Sequence, residues 1–293
     1  MAADRVRDRV VTSIAERRGT ILEVIRNAQR TIALSLFRCN DTELVVELGR
    51  ATARGVKVEA LITSRAKGGT QKLQRLSAAL EEAGVVVHAY RDPVVKYHAK
   101  YLVADDGPAV VASCNFTRKC FERTFDAVVV THDPEVVSGL RALMAADLAR
   151  RPLPANVSTR LIIGPDRARR QFTALIEQAQ SSIRLLDAKL SDPDLTALLK
   201  ARRTGGLTVE VFGSKRIGGL KSHGKMLLID DRIVVVGGLA IAPLSLDFRR
   251  EVAIVVEEPD AVAAVVEWFR AIDAVPTQGG PGPGAPSVKG VAV

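Results

Sequence analysis

The chain has 293 residues, of which 47% are hydrophobic and 26% are charged. This length predicts about two domains, and this composition excludes bulk disorder. A net charge of +9 favours a polyanionic partner such as nucleic acid, anionic lipid or a phosphorylated substrate. A basic surface kept for solubility explains that charge equally well, so the partner has to be inferred from a site.

The cysteines and the N-terminus indicate a reducing compartment. Cys39, Cys114 and Cys120 are an odd number without metal-ligand spacing, so neither a disulfide framework nor a zinc site is predicted. The opening residues are charged from the fourth position, unlike a signal peptide, and no apolar run approaches the ~20 residues that span a bilayer. We therefore expect a cytoplasmic protein whose membrane contact would be peripheral, at the inner membrane face.

Hydrophobic periodicity predicts alternating helices and strands from the start of the chain. Apolar residues at helical spacing over residues 6–25 predict one or two opening helices, and residues 31–37 are strand-like. A helix follows over residues 43–53, and residues 56–62 predict a second strand. This alternation predicts an α/β fold with mixed, largely parallel sheets flanked by helices.

The same pattern recurs in the second half of the chain. Residues 24–34, VIRNAQRTIAL, align with residues 175–185, LIEQAQSSIRL. At the same offset, residues 55–59, GVKVE, align with residues 206–210, GLTVE. Two copies of one α/β domain are the simplest explanation.

The domain boundaries follow from breaks in the periodic pattern. Two prolines interrupt it near residues 150–159, so we place the first domain at residues 1–155 and the second at residues 156–275. Residues 276–293 are rich in Gly and Pro and predict a disordered tail.

Each copy carries a His-x-Lys-x4-Asp string. On a strand, residues i and i+2 point to the same side, so His98 and Lys100 are predicted to project together, as are His223 and Lys225. An imidazole can attack phosphorus near neutral pH, while the adjacent ammonium binds non-bridging oxygens and favours the neutral imidazole. Two of the four histidines occupy equivalent points of the repeat, which predicts a catalytic pair.

The motif aspartates have a different predicted role. The strings run over residues 98–105 and 223–230 and end at Asp105 and Asp230. Their odd offset from the histidine takes them off its strand face and toward a turn. We expect them to anchor the hairpins structurally.

A carboxylate follows each histidine at a matched distance. Asp126 lies 28 residues after His98, and Glu251 lies 28 residues after His223. Each opens an apolar strand, and a carboxylate on the second ring nitrogen is the usual way to orient a nucleophilic histidine. The equal spacing predicts that both acids share this role.

The two copies differ between the motif and the acid. Ser113 and Asn115 follow His98 by 15 and 17 residues, where a hydroxyl and an amide could contact phosphate. The second copy has Gly238 and Ala240 at these offsets. The two half-sites are therefore predicted to be chemically unequal.

These duplicated motifs, each with its downstream acid, resemble the phospholipase D superfamily over about residues 20–273. The resemblance implies a pseudo-twofold pair of α/β domains with one active site where the motifs meet, and no metal or other cofactor. It implies that one histidine forms a covalent phosphohistidine and the other protonates the leaving alcohol, before water or a second alcohol accepts the phosphoryl group.

The resemblance carries over residue by residue, with two departures. The motif pairs and the two acids match. Ser113 and Asn115 match the family's phosphate-contact element, G-G/S-x-N, although Ala112 replaces its first glycine. In the second copy, Ala240 replaces the asparagine of that element. Because the first copy retains Ser113 and Asn115, we expect His98 to be the nucleophile and His223 the general acid.

The substrate class stays open between two alternatives. The run LDFRRE over residues 246–251 resembles the cardiolipin synthase and phospholipase branch, which favours an anionic phospholipid or a membrane surface as partner. The absence of a membrane-spanning run weighs against that branch, and the basic charge suits nucleic acid equally well. An aromatic content of 4% offers few platforms for stacking bases and weighs against a nuclease.

A non-enzymatic scaffold is disfavoured because both histidines and both lysines are present. Hydrolysis, transfer to an alcohol and the oligomeric state stay open.

Overall fold

The structure is a computed structural model that describes residues 8–65, 69–213, 216–217 and 219–274. The expected tail at residues 276–293 lies outside these residues. In chain order, the elements of the first half are β1 (Arg9–Val11), α1 (Ile14–Asn27), β2 (Thr31–Leu36), α2 (Thr42–Ala53), β3 (Lys57–Thr63), α3 (Thr70–Glu82), β4 (Val86–Tyr90), β5 (Lys96–Tyr97), β6 (Tyr101–Ala104), β7 (Ala109–Ala112), α4 (Arg118–Arg123), β8 (Thr124–Phe125), β9 (Val128–Thr131) and α5 (Pro134–Ala149).

The second half repeats this order in a shorter form. Its elements are β10 (Leu161–Gly164), α6 (Ala168–Gln178), β11 (Ser182–Asp187), α7 (Pro193–Thr204), β12 (Thr208–Phe212), β13 (Arg216–Ile217), β14 (Leu220–Ser222), β15 (Lys225–Ile229), β16 (Ile233–Gly237), α8 (Pro243–Phe248), β17 (Arg249–Val256) and α9 (Pro259–Ala274).

Each half builds one large mixed sheet. The strand order is β1-β9-β7-β6-β2-β3-β4 in the first sheet and β10-β17-β16-β15-β11-β12 in the second. The α/β fold with helix-flanked mixed sheets is thereby confirmed.

The expectation of largely parallel sheets is wrong. Only the β2-β3-β4 and β11-β12 pairs of these two strand orders are parallel, and the others are antiparallel. The parallel strands are joined through the helices α2, α3 and α7, whereas the motif strands return through tight hairpins. A short turn can join only antiparallel neighbours, which explains the balance.

The opening helix is shorter than its periodicity predicted. Val10 and Val11 belong to strand β1, which pairs antiparallel with β9 at the edge of the first sheet, and α1 begins only at Ile14. Two adjacent buried β-branched residues suit an edge strand, and the edge of β9 supplies the partner.

The core explains how the halves are held together. One hydrophobic cluster joins apolar residues of both sheets with the buried faces of α5 and α9, including Val111, Leu140, Val236 and Phe269. Two further clusters lie under the outer helices of the first and the second half. The two sheets therefore share one core, which fixes the motif strands β6 and β15 relative to each other.

The motif aspartates accept backbone hydrogen bonds at the start of the neighbouring strand. The Asp105 carboxylate accepts from the amides of Gln29, Arg30 and Thr31 at 2.7–2.8 Å. The Asp230 carboxylate accepts in the same way from the amides that begin β11, at 2.7–2.9 Å. Burial would raise the pKa of Asp105, but these amides outweigh it and lower the pKa. The geometry supports the anchoring role.

This geometry predicts a loss of stability when Asp105 is replaced. Asp105→Ala leaves three amide donors without their acceptor, and we expect the free energy of unfolding to fall by about 1–3 kcal/mol. Urea unfolding measures the change, with Asp106→Ala as control because the Asp106 side chain is 88% exposed and pairs with the exposed Arg30 side chain. An equal loss in both variants would contradict the anchoring role.

Candidate active site

Two short strands exchanged between the halves position the candidate site. In the first exchange, β5 pairs in parallel with the start of β17, so that Tyr97 lies opposite Arg250. In the second, β14 pairs in parallel with β8, so that Ser222 lies opposite Phe125. The residue that follows each of these four positions in the chain is a motif histidine or a downstream acid. The parallel register therefore places His98 beside Glu251 and His223 beside Asp126.

The side chains make the contacts that this register allows. Nδ1 of His98 lies against Oε1 of Glu251, and Nδ1 of His223 lies 3.1 Å from Oδ1 and 3.2 Å from Oδ2 of Asp126. Each acid thus contacts the histidine of the other half, a pairing that the matched spacing does not specify. In both pairs the Nε2 atom is left for chemistry on a substrate.

Both acids are ionised although they are buried. Burial would raise the pKa of Asp126, but the hydrogen bond and charge of His223 together with Lys225 and Thr124 lower it. Burial would likewise raise the pKa of Glu251, but His98, Lys100 and the Ser245 hydroxyl lower it. A carboxylate on Nδ1 fixes the tautomer in which Nε2 faces the substrate.

Hydroxyl groups hold each acid in place. Ser113 Oγ donates to Asp126 Oδ1 at 2.8 Å, and Thr124 Oγ1 donates to Asp126 Oδ2 at 2.5 Å. In the second half, Ser245 Oγ donates to Glu251 Oε2 and accepts from the amide of Ala240 at 2.9 Å. These bonds leave the carboxylates little freedom to turn away from the imidazoles.

The expected phosphate contact of Ser113 is therefore wrong. Ser113 is buried, and its hydroxyl donates to Asp126 while it accepts from the amide of Ala127 at 2.9 Å. Asn115 is half-buried, and its side-chain oxygen accepts no hydrogen bond from the described residues. Ser245 holds Glu251 much as Ser113 holds Asp126, so the second half has a counterpart of Ser113, whereas Asn115 is matched by Ala240.

The two motif lysines are buried beside the histidines. His98 and Lys100 lie in the irregular segment between β5 and β6, not on one strand as predicted. Nevertheless, Lys100 Nζ lies 3.0 Å from His98 Nδ1 and donates to the His98 carbonyl, and Lys225 Nζ donates to the His223 carbonyl at 2.8 Å. The ammonium groups are thus held near the imidazoles, where they can bind phosphate oxygens.

The two halves contribute to one site. Burial and the charge of Lys100 hold the pKa of His98 well below its usual range, and the charge of Lys225 from the second half adds to this effect. Gly238 approaches the first half as well, since a Cβ added there would lie 3.6 Å from Lys100 Nζ. Lysines from both halves therefore act on the same histidine.

The histidines differ in their surroundings. The Phe37 ring packs on the His98 ring at 4.1 Å between centroids, and the His98 side chain is 13% exposed against 29% for His223. Ala188 stands at the position equivalent to Phe37, because each lies six residues after the start of its strand (37−31 = 188−182). A drier environment next to an ammonium favours a neutral imidazole at His98.

The buried residue Arg250 fixes the backbone beside His98. The carbonyl of Arg250 accepts from the amide of His98 at 2.9 Å. The Arg250 guanidinium donates to Asp147 at 2.9 Å and to the carbonyl of Gly164 at 3.0 Å, and it contacts Asp166. These bonds tie β17, α5 and the end of β10 together, so that the peptide before Glu251 is fixed.

Lys100 predicts a pH dependence of catalysis. Burial lowers the pKa of Lys100 to about 7, and the charge of Lys225 acts in the same direction against that of Glu251. Because the ammonium is lost as pH rises through that value, we expect kcat/KM to fall on the alkaline side from near pH 7. The limb in kcat should lie at higher pH, since bound phosphate favours the ammonium. Rate profiles of Lys100→Gln provide the control: a limb that persists in this variant has another origin.

One group of side chains has the composition of a metal site. Among the described residues, the ligand atoms of Cys120, Asp126 and His223 lie within 4.8 Å of one another. The Asp126 oxygens, however, already accept hydrogen bonds from Ser113 and Thr124 and contact His223. A metal ion would have to displace these bonds.

Several residues of the site had no sequence signal. Thr124, Ser245 and Phe37 lie at different distances from the motifs in the two copies or occur in one copy only. No repeat pattern could therefore reveal them. The role of the hydroxyls that hold the acids becomes recognisable only from the folded structure, where Thr124 donates to Asp126 and Ser245 donates to Glu251.

Sequence comparisons place the first half among lipid-synthesising relatives. The family model described as cardiolipin synthase, PLD-like domain, matches residues 21–148. Cardiolipin synthase A of Pseudomonas aeruginosa is 32% identical over 131 residues, which cover 44% of this chain and 26% of that protein. Cardiolipin synthase 1 of Bacillus anthracis is 25% identical over 127 residues, covering 42% and 25%. The matched region thus spans about a quarter of these relatives.

Structural comparisons extend the likeness to both halves. A polyphosphate kinase of Porphyromonas gingivalis has a TM-score of 0.73 at 17% identity, over 91% of this chain and 50% of that one. A phosphatidylserine synthase of Haemophilus influenzae has a TM-score of 0.69 at 15% identity, over 92% and 86%. At these identities the likeness establishes the fold. In the part of the chain that the structure describes, no helix has the length and apolar character to cross a membrane. By its matched domain and its relatives, the first half of the chain, residues 21–148, belongs to the phospholipase D superfamily, and the chain as a whole shares its fold with these solved structures.

Proposed function

We propose that the protein is a phosphodiesterase of phospholipase D type that hydrolyses or transfers the phosphodiester of a phospholipid through a covalent phosphohistidine. One observation carries the proposal: each half provides a histidine whose Nδ1 is held by a buried carboxylate of the other half, with a motif lysine beside each. This arrangement offers two Nε2 atoms and two ammonium groups for one phosphate, as an in-line displacement requires.

In the first step, neutral His98 acts as the nucleophile. Its Nε2 lone pair forms a bond to phosphorus while the bond from phosphorus to the leaving oxygen breaks. Protonated His223 donates its Nε2 proton to that oxygen, so the alcohol leaves neutral. Lys100 and Lys225 stabilise the charge on the non-bridging oxygens, and Glu251 stabilises the positive imidazole ring of the intermediate.

In the second step, His223 acts as a general base instead of a general acid. Neutral His223 accepts a proton from water or a second alcohol, whose oxygen bonds to phosphorus as the bond to His98 Nε2 breaks. His98 returns to its neutral form and His223 to its protonated form. The surroundings of the two histidines support this order independently of Ser113, because burial and Lys100 favour neutral His98.

The choice of a phospholipid rests on the relatives of the first half, which are cardiolipin synthases. The chain is also strongly basic, with a net charge of +9, which suits an anionic lipid. A metal-independent nuclease of the same superfamily is the alternative, because the same charge suits a nucleic-acid backbone.

The test presents the purified protein, with EDTA present, to vesicles of phosphatidylcholine and phosphatidylglycerol, and separately to single- and double-stranded DNA. We expect release of glycerol or transfer of the phosphatidyl group, with no DNA cleavage, and loss of activity in His98→Ala. Cleavage of DNA alone would assign the nuclease function. A strict requirement for a divalent metal would contradict the mechanism, because the lysines supply the positive charge in it.

A further inference from the structure

An apolar groove edged with basic residues lies at the seam between the halves. It encloses about 380 Å³ and is lined by Arg65, Val94, Lys96, Leu244, Phe248 and Arg249. Three of these residues belong to the first half and three to the second. Because Lys96 and Arg249 are paired across the exchanged strands, the groove follows the same seam that brings the catalytic residues together.

The groove concentrates the exposed apolar surface of the protein. Val94 is 67% exposed, Leu244 is 61% exposed and Phe248 is 49% exposed. Among the described residues, these are three of the six large hydrophobic residues that are exposed. Isolated exposed hydrophobic residues are ordinary, whereas a cluster of them marks a surface that binds something apolar.

Both sides of the groove are braced, so the apolar side chains are held outward. Leu244 and Phe248 are four residues apart on α8 and share one face, while Ser245 and Leu246 of the same helix are buried. On the other side, the Asp92 carboxylate accepts from the amide of Val94 at 2.8 Å. The loop is thus a fixed turn that presents Val94.

Arg65, which follows β3, binds the loop that contains Asp92 and Pro93. The Arg65 guanidinium donates to the carbonyl of Pro93 at 3.1 Å and to that of Asp92. Val95, next to the exposed Val94, packs against the shared core instead. These bonds fix the loop in a conformation that leaves Val94 exposed beside Leu244 and Phe248, as expected of a surface that contacts a partner.

The groove connects to the catalytic pair through Arg249. Its Nη1 atom lies 4.0 Å from Oε1 of Glu251, the acid that contacts His98. A headgroup phosphate at Arg249 would therefore lie close to the acid that contacts the nucleophile. Aliphatic Val94 and Leu244 suit acyl chains, whereas bases would require aromatic platforms.

We propose that this groove docks the protein on the surface of an anionic phospholipid bilayer, with Val94, Leu244 and Phe248 entering the acyl region and the basic residues contacting headgroup phosphates. The docked surface delivers the phospholipid substrate to His98, and this role of the groove rests on the proposed function. Apolar insertion and basic attraction together give an interfacial protein its affinity for anionic membranes.

The test measures binding to vesicles of phosphatidylcholine with and without phosphatidylglycerol by cosedimentation. We expect Val94→Ser/Leu244→Ser/Phe248→Ser to bind the anionic vesicles about tenfold more weakly or worse than the unmodified protein. Val46→Ser/Val86→Ser is the matched control, because Val46 and Val86 are 50% and 54% exposed outside the groove. Leu244→Phe should retain binding, since it keeps the apolar contact. Unchanged binding of the triple variant, or absent binding of the unmodified protein, would overturn the proposal.

A second measurement separates this surface from the proposed function. The loss of rate in the triple variant should be about tenfold larger on vesicles than on soluble bis(4-nitrophenyl) phosphate. If the unmodified protein binds vesicles through the groove but processes no lipid, the docking surface stands and the proposed substrate fails. If it processes lipid while the triple variant binds normally, the function stands and the surface fails. Loss of single-stranded DNA binding, with vesicle binding intact, would show a platform for bases and overturn the proposal.

Discussion

Replacing His223 should have an effect that depends on the leaving group, because His223 is the proposed general acid. With a lipid or alkyl phosphodiester, His223→Ala should lower kcat/KM by about 10²–10⁴-fold. With bis(4-nitrophenyl) phosphate, whose leaving group departs as an anion, the loss in the first step should shrink to about tenfold or less. His98→Ala should lose about 10³-fold or more with both substrates, because no bond to phosphorus can form.

Pre-steady-state kinetics test the assignment of the two histidines most directly. Without a base for the second step, His223→Ala should release one equivalent of 4-nitrophenol in a burst and then turn over slowly. Rapid quenching and peptide mapping should locate the phosphoryl group on His98. A phosphoryl group on His223 in the unmodified protein, or a leaving-group dependence that appears in His98→Ala, would reverse the assignment of the two histidines.

The two buried acids should group with the histidine of the opposite half. Asp126 contacts His223, so Asp126→Asn should reproduce the burst and the leaving-group dependence of His223→Ala. Glu251 contacts His98, so Glu251→Gln should slow the burst itself. Losses of about 10²–10⁴-fold are expected, because an amide in place of the carboxylate no longer favours the productive tautomer or stabilises the charged ring.

Rapid-quench measurements of the burst rate and amplitude test this grouping. If each acid served the histidine of its own half, Asp126→Asn would slow the burst and Glu251→Gln would preserve it. Asp106→Asn is a control for the substitution itself, since Asp106 is an exposed acid of the same half. Circular dichroism and urea unfolding verify that the buried variants fold.

The sequence alone predicted the residues of the candidate site because they are repeated in two copies. Both motif pairs, both acids and the anchoring pattern of Asp105 and Asp230 could be read from equal spacings in two copies. Equal spacing reports that two residues hold equivalent places in two folded copies. It does not report which copy they contact, so only the structure shows that Asp126 contacts His223 and that Glu251 contacts His98.

The fold, like the site, could be predicted from the sequence only in part. Local periodicity identified the α/β class, because burial on one face imposes period 2 on strands and period 3.6 on helices. The largely antiparallel pairing depended on the hairpins after each motif, and the strand β1 depended on an edge offered by β9. Pairing partners are set by chain geometry over long distances, which local patterns do not contain.

Two copies of a His-Lys string with a later acid were thus determined by the sequence, as were the fold class and the basic charge. Only the tertiary structure decided that the acids cross between the halves, that Ser113 holds Asp126 and not phosphate, and that Phe37 makes the environment of His98 different from that of His223. The physical reason is that tertiary packing, not local sequence, brings the residues of these contacts together. The exchanged strands, β5 on β17 and β14 on β8, place each acid beside the histidine of the other half, whereas the pairing of β7 with β9 places Ser113 beside Asp126.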